Sequence, residues 1–322
     1  MRTRSWRTVL VWGVFLRLLF GSVQTGHAAT SFHWKLATTW PKYFPVFQEG
    51  AEQFAQLVQT MSAGRMQITV LADGEGIPAL QVFDAVSQGT VEMGHSAPYY
   101  WADKISGCEL MASVPFGMTV RGKNAWLYAG SGLKLWEELY APYHVRPFPM
   151  GNTGVQMGGW FHKRITTLED FRGLHMRIPG LGGEVLKQFG VIPHLLAGKD
   201  IRAAMQQGSI TAAEWVGPYH DERLELFREA PYYYYPGWHE PETTLELLVN
   251  TAAWDALPAD LQQIITVAAR AVHLTMYAQF EARNPHALRI LEQQYHVTVL
   301  PFPPDVLSGL RQATEQVLQA KA

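Results

Sequence analysis

The chain has 322 residues, 48% of them hydrophobic and 17% charged, which supplies a sizeable core and enough length for two lobes. Its formal charge of −2 and the spread of its basic residues do not resemble a nucleic-acid footprint. With Cys108 as the single cysteine, no intramolecular disulfide can form.

Arg2, Arg4 and Arg7 precede an apolar stretch from Thr8 to Leu16, small residues follow at Gly26 and Ala28, and no acidic residue occurs before Glu49. A basic start, a short apolar segment and a small-x-small site describe a secretory signal too short to span a bilayer, with cleavage expected after Ala28. Arg17 interrupts the apolar segment, so an unusual signal or a mis-assigned start is the competing reading. Removing residues 1–28 leaves 22 basic against 28 acidic residues, a net charge of −6. A periplasmic location suits an exported chain with one cysteine.

Phe32, Trp34 and Leu36 alternate as in a half-buried strand. Phe47, Ala51, Phe54, Val58 and Met61 then mark one face of a helix that Gly64 closes, and Met66, Ile68 and Val70 alternate again. Strand, helix, strand predicts a parallel pair with a right-handed crossover. Next, Val82 to Gly89 reads as a short helix and Thr90 to Met93 as a strand. Ile201 to Ala213 repeats this pattern 119 residues later, Ala204 matching Ala85, Gln207 matching Gln88 and Gly208 matching Gly89. Both copies run on into a Pro-Tyr pair, Pro98-Tyr99 and Pro218-Tyr219.

Two such units predict two α/β lobes of related build, with chance similarity as the alternative. Ligands of open parallel sheets sit beyond the carboxyl ends of the strands, which makes His95–Tyr100 and Glu214–Tyr219 candidate cleft residues. Gly151–Gly159 and Pro236–Pro241 are the expected crossings between lobes. A helical pattern from Ala259 to about Tyr295 should kink or break at Pro285, and a last helix should start at Pro304-Asp305.

Three constellations could carry chemistry. Arg177 stands in a strand-like setting, Met176-Arg177-Ile178-Pro179, where a guanidinium either forks onto a carboxylate or is simply solvated. Glu214 ends an apolar strand and Glu240 follows Tyr232–Tyr235 and Trp238; each needs an ion-pair partner or a cation. Gly94-His95-Ser96-Ala97-Pro98 is a partial nucleophile elbow, and an exported serine hydrolase using Ser96 is the enzymatic alternative. Gly74–Ala79 matches a dinucleotide fingerprint weakly, after the second strand rather than the first. His239-Glu240-Pro241 cannot be an HExxH zinc helix, since Thr243 stands four places after His239.

Met176–Gly180, Gly208-Ser209-Ile210 leading to Glu214-Trp215-Val216-Gly217-Pro218-Tyr219, and Tyr233–Pro241 together resemble the substrate-binding subunits of tripartite ATP-independent periplasmic (TRAP) transporters, over essentially the whole chain after the leader. The resemblance is closest to the branch that takes 2-oxo acids such as pyruvate. It implies an α/β, two-lobed periplasmic binding protein fold with crossing segments and a long C-terminal helix. Lobe I would be residues 29–152 plus about 241–280, and lobe II residues 153–240 plus about 281–322.

By the same resemblance, Arg177 pairs with the substrate carboxylate, and a Ca²⁺ or Na⁺ ion beside it is held by Gln156, Glu214, the backbone of Trp215 and Glu240. Asn152 and Tyr100 are candidate polar contacts to the substrate, and Trp215 covers its apolar end. Thr211 and Ala197–Asp200 depart from the family pattern away from these positions. The expected partners are a small carboxylate and the membrane subunits of a TRAP transporter, with no nucleic acid. A ligand-sensing subunit outside transport would use the same residues. Some relatives dimerise through the C-terminal helix, and the Ala259–Tyr295 pattern permits a homodimer here.

Overall fold

The computed structural model describes residues 30–321, so the expected leader over residues 1–28 lies outside the described residues. Chain order starts with β1 (Phe32–Thr38), α1 (Phe47–Met61), β2 (Met66–Leu71), α2 (Val82–Ser87) and β3 (Met93–Ser96). Then come α3 (Glu109–Ala112), α4 (Val120–Ala129), α5 (Gly132–Tyr140) and β4 (Val145–Asn152). The middle of the chain forms β5 (Gly159–Phe161), β6 (His175–Arg177), α6 (Gly180–Lys187), β7 (Ile192–His194), α7 (Gly198–Gln206), β8 (Ala212–Ala213), α8 (Pro218–Arg223) and β9 (Tyr232–Tyr235). The last elements are β10 (Thr244–Asn250), α9 (Thr251–Asp255), α10 (Ala259–Gln293), β11 (Thr298–Pro301) and α11 (Pro304–Lys321).

These strands make two sheets, one ordered β2-β1-β3-β10-β4 and the other, taken from its far edge, β7-β6-β8-β5-β9-β11. The five strands of the first order correspond to the first five of the second, which adds β11 at its edge. In each, three parallel strands are linked by helices, and the next strand lies antiparallel to both neighbours: β10 between β3 and β4, β5 between β8 and β9.

The 119-residue repeat is therefore structural. After α2, the amides of Thr90 and Val91 both donate to Ala85 O, at 2.8 and 3.3 Å. After α7, Ser209 and Ile210 donate to Ala204 O at 3.0 and 3.3 Å. Gly89 and Gly208 take the same left-handed φ, 72° and 70°, which a side chain would strain. This helix-closing turn also corrects one expectation. Thr90 and Val91 close α2 instead of opening a strand, and β3 starts at Met93.

Alternate burial explains the first elements. Trp34 and Leu36 of β1 are buried while His33 and Lys35 are exposed, and α1 buries Phe47, Ala51, Phe54 and Val58 along one face. A second correction concerns α10, which does not break at Pro285 but continues through it, over 35 residues and roughly 50 Å in all. Proline removes one amide donor there, yet Phe280 before it and Ala287 and Leu291 after it are buried, so packing on both sides holds the helix together. α10 lies against β4 and α1 at one sheet and α8 at the other.

Besides α9 and α10, which lead from β10 to β11, the chain passes between the sheets through residues 153–158 and again through 236–243. These crossings run side by side: Thr153 N donates to Thr243 O at 3.1 Å, Gln156 N to Glu240 O at 3.2 Å, and Gly237 N to Gln156 O at 3.0 Å. A Cβ on Gly237 would stand 2.2 Å from the Gln156 carbonyl oxygen, so the approach requires glycine. Among the described residues, no helix is long and apolar enough to cross a membrane.

Candidate functional site

β6 and β8 are parallel neighbours, and Arg177 and Glu214 stand at their carboxyl ends. Arg177 Nη1 donates to the Glu214 backbone oxygen at 2.8 Å and also pairs with the Glu214 carboxylate. Nε reaches Leu196 O at 3.3 Å and Nη2 reaches Tyr100 OH at 3.4 Å. The guanidinium carbon lies 4.8 Å from the centre of the Trp215 ring, within cation–π range. Arg177 is 1% exposed, which settles the choice left open by its pattern: it is not a solvated strand arginine. Burial opposes its charge, but the Glu214 carboxylate, followed by Tyr100, Tyr99 and Glu240, more than offsets this and raises its pKa.

Glu240 and Gln156 come from the two crossings. Glu240 accepts the hydroxyl proton of Thr243, and burial, then the nearby Glu214 carboxylate, push its pKa well above the ordinary carboxylate value. Gln156 gives its amide nitrogen to Thr243 Oγ1 at 3.1 Å and Thr153 Oγ1 at 3.3 Å. Its Oε1 is buried without a hydrogen-bond partner. Unpartnered amide oxygens in a protein interior are uncommon and costly, so this one is a candidate ligand atom. Two carboxylates, an amide oxygen and nearby backbone carbonyls are hard oxygen donors, which fit Ca²⁺ or Na⁺.

His239 is a member of the cluster that sequence reasoning missed. Its Nε2 lies 3.2 Å from Glu214 Oε2, and Glu214, His239 and Glu240 each place one potential ligand atom within 4.8 Å of the others. His239 Nδ1 is buried without a partner. The signal available was adjacency to Glu240, since the contact with Glu214 spans 25 residues.

Trp215 projects from the second sheet into aromatic side chains carried by the first. Its ring centre is 5.5 Å from Phe44, 6.3 Å from Phe47 and 6.4 Å from Trp40. His220 continues this contact by accepting from Trp215 Nε1 at 3.4 Å and donating to Pro45 O at 2.8 Å. Burial holds the His220 pKa down to about 3, so the ring is neutral and can play both roles. Asp221 anchors the loop, accepting from Val216 N at 3.2 Å, Gly217 N at 3.1 Å, Trp160 Nε1 at 2.9 Å and Tyr233 OH at 2.7 Å.

Tyr100 is buried beside Arg177, with its pKa pushed up to about 12 by burial, so its phenol keeps its proton. Asn152 is also buried, but its polar atoms meet Glu242 at 2.7 Å, Thr244 at 3.3 Å and the amide of Gly154 at 2.9 Å. A cleft of about 430 Å³, lined in part by Tyr99, Tyr100, Pro179, Gly180, His194 and Lys321, lies immediately outside the cluster, with Tyr100 common to both.

The hydrolase alternative fails on geometry. Ser96 Oγ is buried and has no hydrogen-bond partner. Neighbouring His95 uses both ring nitrogens elsewhere, accepting from Trp40 Nε1 at 2.8 Å and donating to Met150 O at 2.7 Å. No base is aligned on the hydroxyl, so a nucleophile elbow is not formed.

Residues 36–322 match the bacterial extracellular solute-binding proteins, family 7, also called DctP. A curated relative from Nostoc sp., a monocarboxylate 2-oxoacid-binding periplasmic protein, is 44% identical over 302 residues, covering 94% of this chain and 82% of its own. The crystal structure of a TRAP periplasmic solute-binding protein from Pseudoalteromonas atlantica with bound sodium and pyruvate superposes with a TM-score of 0.88 at 42% identity, over 90% of this chain and 88% of that one. A counterpart from Colwellia psychrerythraea with bound calcium and pyruvate gives 0.88 at 41%, over 90% and 89%. With two matched α/β sheets, paired crossings and a long C-terminal helix, the chain belongs to the DctP family of solute-binding proteins that serve TRAP transporters.

Proposed function

We propose that this protein is a periplasmic receptor for a small 2-oxo monocarboxylate of the pyruvate class, which it passes to the membrane subunits of a TRAP transporter without bond chemistry. The observation that carries the reading is the buried Arg177 paired with Glu214 and close to Glu240, together with a buried Gln156 Oε1 that has no protein partner. Its similarity to relatives named for 2-oxoacid and pyruvate binding supports the same ligand class.

In this reading the Glu214 carboxylate turns from Arg177 to the ion, and the Nη1 and Nη2 protons so available fork onto the ligand carboxylate. Glu214, Glu240, Gln156 Oε1 and the Trp215 carbonyl hold Ca²⁺ or Na⁺, which supplies a positive centre for the carboxylate and keto oxygens of a 2-oxo acid. Arg177 and a divalent ion would balance Glu214, Glu240 and the ligand charge for charge. Tyr100 adds a phenol donor, and Trp215 closes the apolar end. Asn152 is the weakest of the expected contacts, because its amide already holds Glu242, Thr244 and Gly154 in place.

We further propose that residues 1–28 direct export, and that residues 29–152 with about 241–280 close on residues 153–240 with about 281–322 around the ligand. Val267 and Leu274, exposed and seven residues apart on α10, are the apolar positions that a second copy would cover in a homodimer through that helix. Sedimentation of Leu274→Glu beside the parent protein tests this.

The ligand test is a titration of chelator-stripped protein with pyruvate, 2-oxobutyrate, lactate and succinate, each with Ca²⁺, Na⁺ or neither, followed by tryptophan fluorescence and melting temperature. Pyruvate and 2-oxobutyrate should stabilise in a cation-dependent way. Stabilisation by none of the carboxylates under any cation would refute the receptor reading, and binding indifferent to the cation would remove the ion from it.

A further inference from the structure

Thr243 and Thr153 stand opposite each other in the two crossings, joined by the backbone bond from Thr153 N to Thr243 O at 3.1 Å. Each hydroxyl has one proton to give. Thr243 gives its proton to Glu240 Oε2, and Thr153 gives its own to Gly154 O at 2.9 Å. Both oxygens can therefore meet Gln156 only as acceptors, which they do at 3.1 and 3.3 Å. The amide must turn its NH₂ towards them. Its oxygen is then turned away from both hydroxyls, buried where no protein donor meets it.

We infer that Thr243 is a positioning residue whose single hydroxyl sets both the flip of the Gln156 amide and the orientation of the Glu240 carboxylate, and so makes two of the cation's ligands present oxygen together. This rests on the cation-dependent reading above. Gln156 and Glu240 belong to different crossings, and Thr243 is the side chain that touches both. Without its hydroxyl, Gln156 keeps only the longer bond to Thr153, so its NH₂ is free to rotate towards the position a cation needs. Partners behind metal ligands typically change affinity by about 10- to 100-fold when lost.

The experiment compares parent protein, Thr243→Val, Thr243→Ser and Thr153→Val after chelation, titrated first with Ca²⁺ alone by tryptophan fluorescence and then with pyruvate at saturating Ca²⁺. Melting in chelator identifies any variant that fails for structural reasons. Thr243→Val should bind Ca²⁺ about 10- to 100-fold more weakly, Thr243→Ser should restore most of that loss, and Thr153→Val should lose less because it touches Gln156 alone. Pyruvate affinity should recover when Ca²⁺ is raised to saturate Thr243→Val. The proposal is overturned if Thr243→Val binds Ca²⁺ within twofold of the parent, or if Thr243→Ser melts like the parent yet fails to rescue. If Thr243→Val does not fold, Thr243→Ala takes its place, and Ca²⁺ binding by Thr243→Ala within twofold of the parent overturns the proposal in the same way. A parent protein that responds to pyruvate but to no cation overturns the cation site itself, a different result from failure of Thr243 alone.

Discussion

Arg177 and Glu214 are joined three ways: the guanidinium donates to the Glu214 carbonyl at 2.8 Å and pairs with its carboxylate, while the Glu214 amide donates to the Arg177 carbonyl at 3.0 Å. The anion-binding group and a cation-binding group thus sit on adjacent strand ends with their separation set by the sheet. Neither can be altered without disturbing the other.

Arg177→Lys keeps a positive charge near Glu214 but loses the planar fork. Pyruvate affinity should fall roughly 100-fold, as expected when a two-bond charged contact is lost, while calorimetry shows a folded protein. Arg177→Ala should also lower stability, by about 3–5 kcal/mol, since it leaves a buried carboxylate without its partner. A lysine variant that binds pyruvate within threefold of the parent would place the carboxylate elsewhere.

Glu240→Gln tests the opposite charge. Burial and Glu214 make the ionised form of Glu240 unfavourable, and glutamine keeps an acceptor for Thr243 without the charge. The variant should melt in chelator at or above the parent temperature, while its Ca²⁺ affinity falls at least about tenfold. An unchanged Ca²⁺ response in differential scanning fluorimetry removes Glu240 from the site.

Two ion pairs join elements of the two sheets beside the site: Lys199 on α7 with Asp73 beyond β2 at 2.9 Å, and Lys321 on α11 with Glu109 on α3 at 2.7 Å. Lys199 is 43% exposed in its side chain, so solvent discounts the pair. Lys199→Met should weaken pyruvate binding roughly two- to tenfold, mainly through faster release, with the difference shrinking as salt is raised. Stopped-flow release rates equal to those of the parent at low salt would show that this pair does not hold the closed form.

Glu246, accepting from Trp101 Nε1 at 2.6 Å and Tyr140 OH at 2.9 Å, has its pKa raised by burial to about 8. A carboxyl held above its unfolded value binds its proton more tightly when folded. Its contribution to stability is complete below about 4.5, declines as pH rises, and is lost above about 8. Glu246→Gln keeps an acceptor for Trp101 and offers Tyr140 a donor, so its melting temperature should gain on the parent between pH 5 and pH 8, by about 1 kcal/mol per pH unit in stability. A constant difference between the two melting curves would show that Glu246 is ionised throughout.

Local pattern exposed much of this protein. The run Met176–Pro179 marked Arg177, the apolar stretch into Glu214 marked a carboxylate needing a partner, and the match of Ala85 with Ala204 foretold two equivalent turns. Burial was less readable: no neighbour in sequence says that Arg177 is closed off, because the residues covering it come from Tyr100, Leu196 and Glu214. Long-range pairing hid His239 behind Glu214. The place of β10 was hidden for a similar reason, since Thr244–Asn250 lies between β3 and β4, strands from a much earlier part of the chain. The break allowed for at Pro285 does not occur, because the rule for isolated helices neglects the packing that surrounds α10.

That placement of β10 also governs how the molecule can be assembled. β3 and β4 do not touch as neighbours until Thr244–Asn250 fills the gap between them, so the first sheet stays open while the chain is built up to residue 243. The second sheet gains β11 only from residues 298–301. A polypeptide released in pieces, cut anywhere between residues 153 and 243, would carry an open strand edge on its leading fragment, the kind of surface that recruits other chains. Ordering of the first sheet is governed by non-local pairing, and a nick at residues 153–243 should produce aggregation rather than two independent halves.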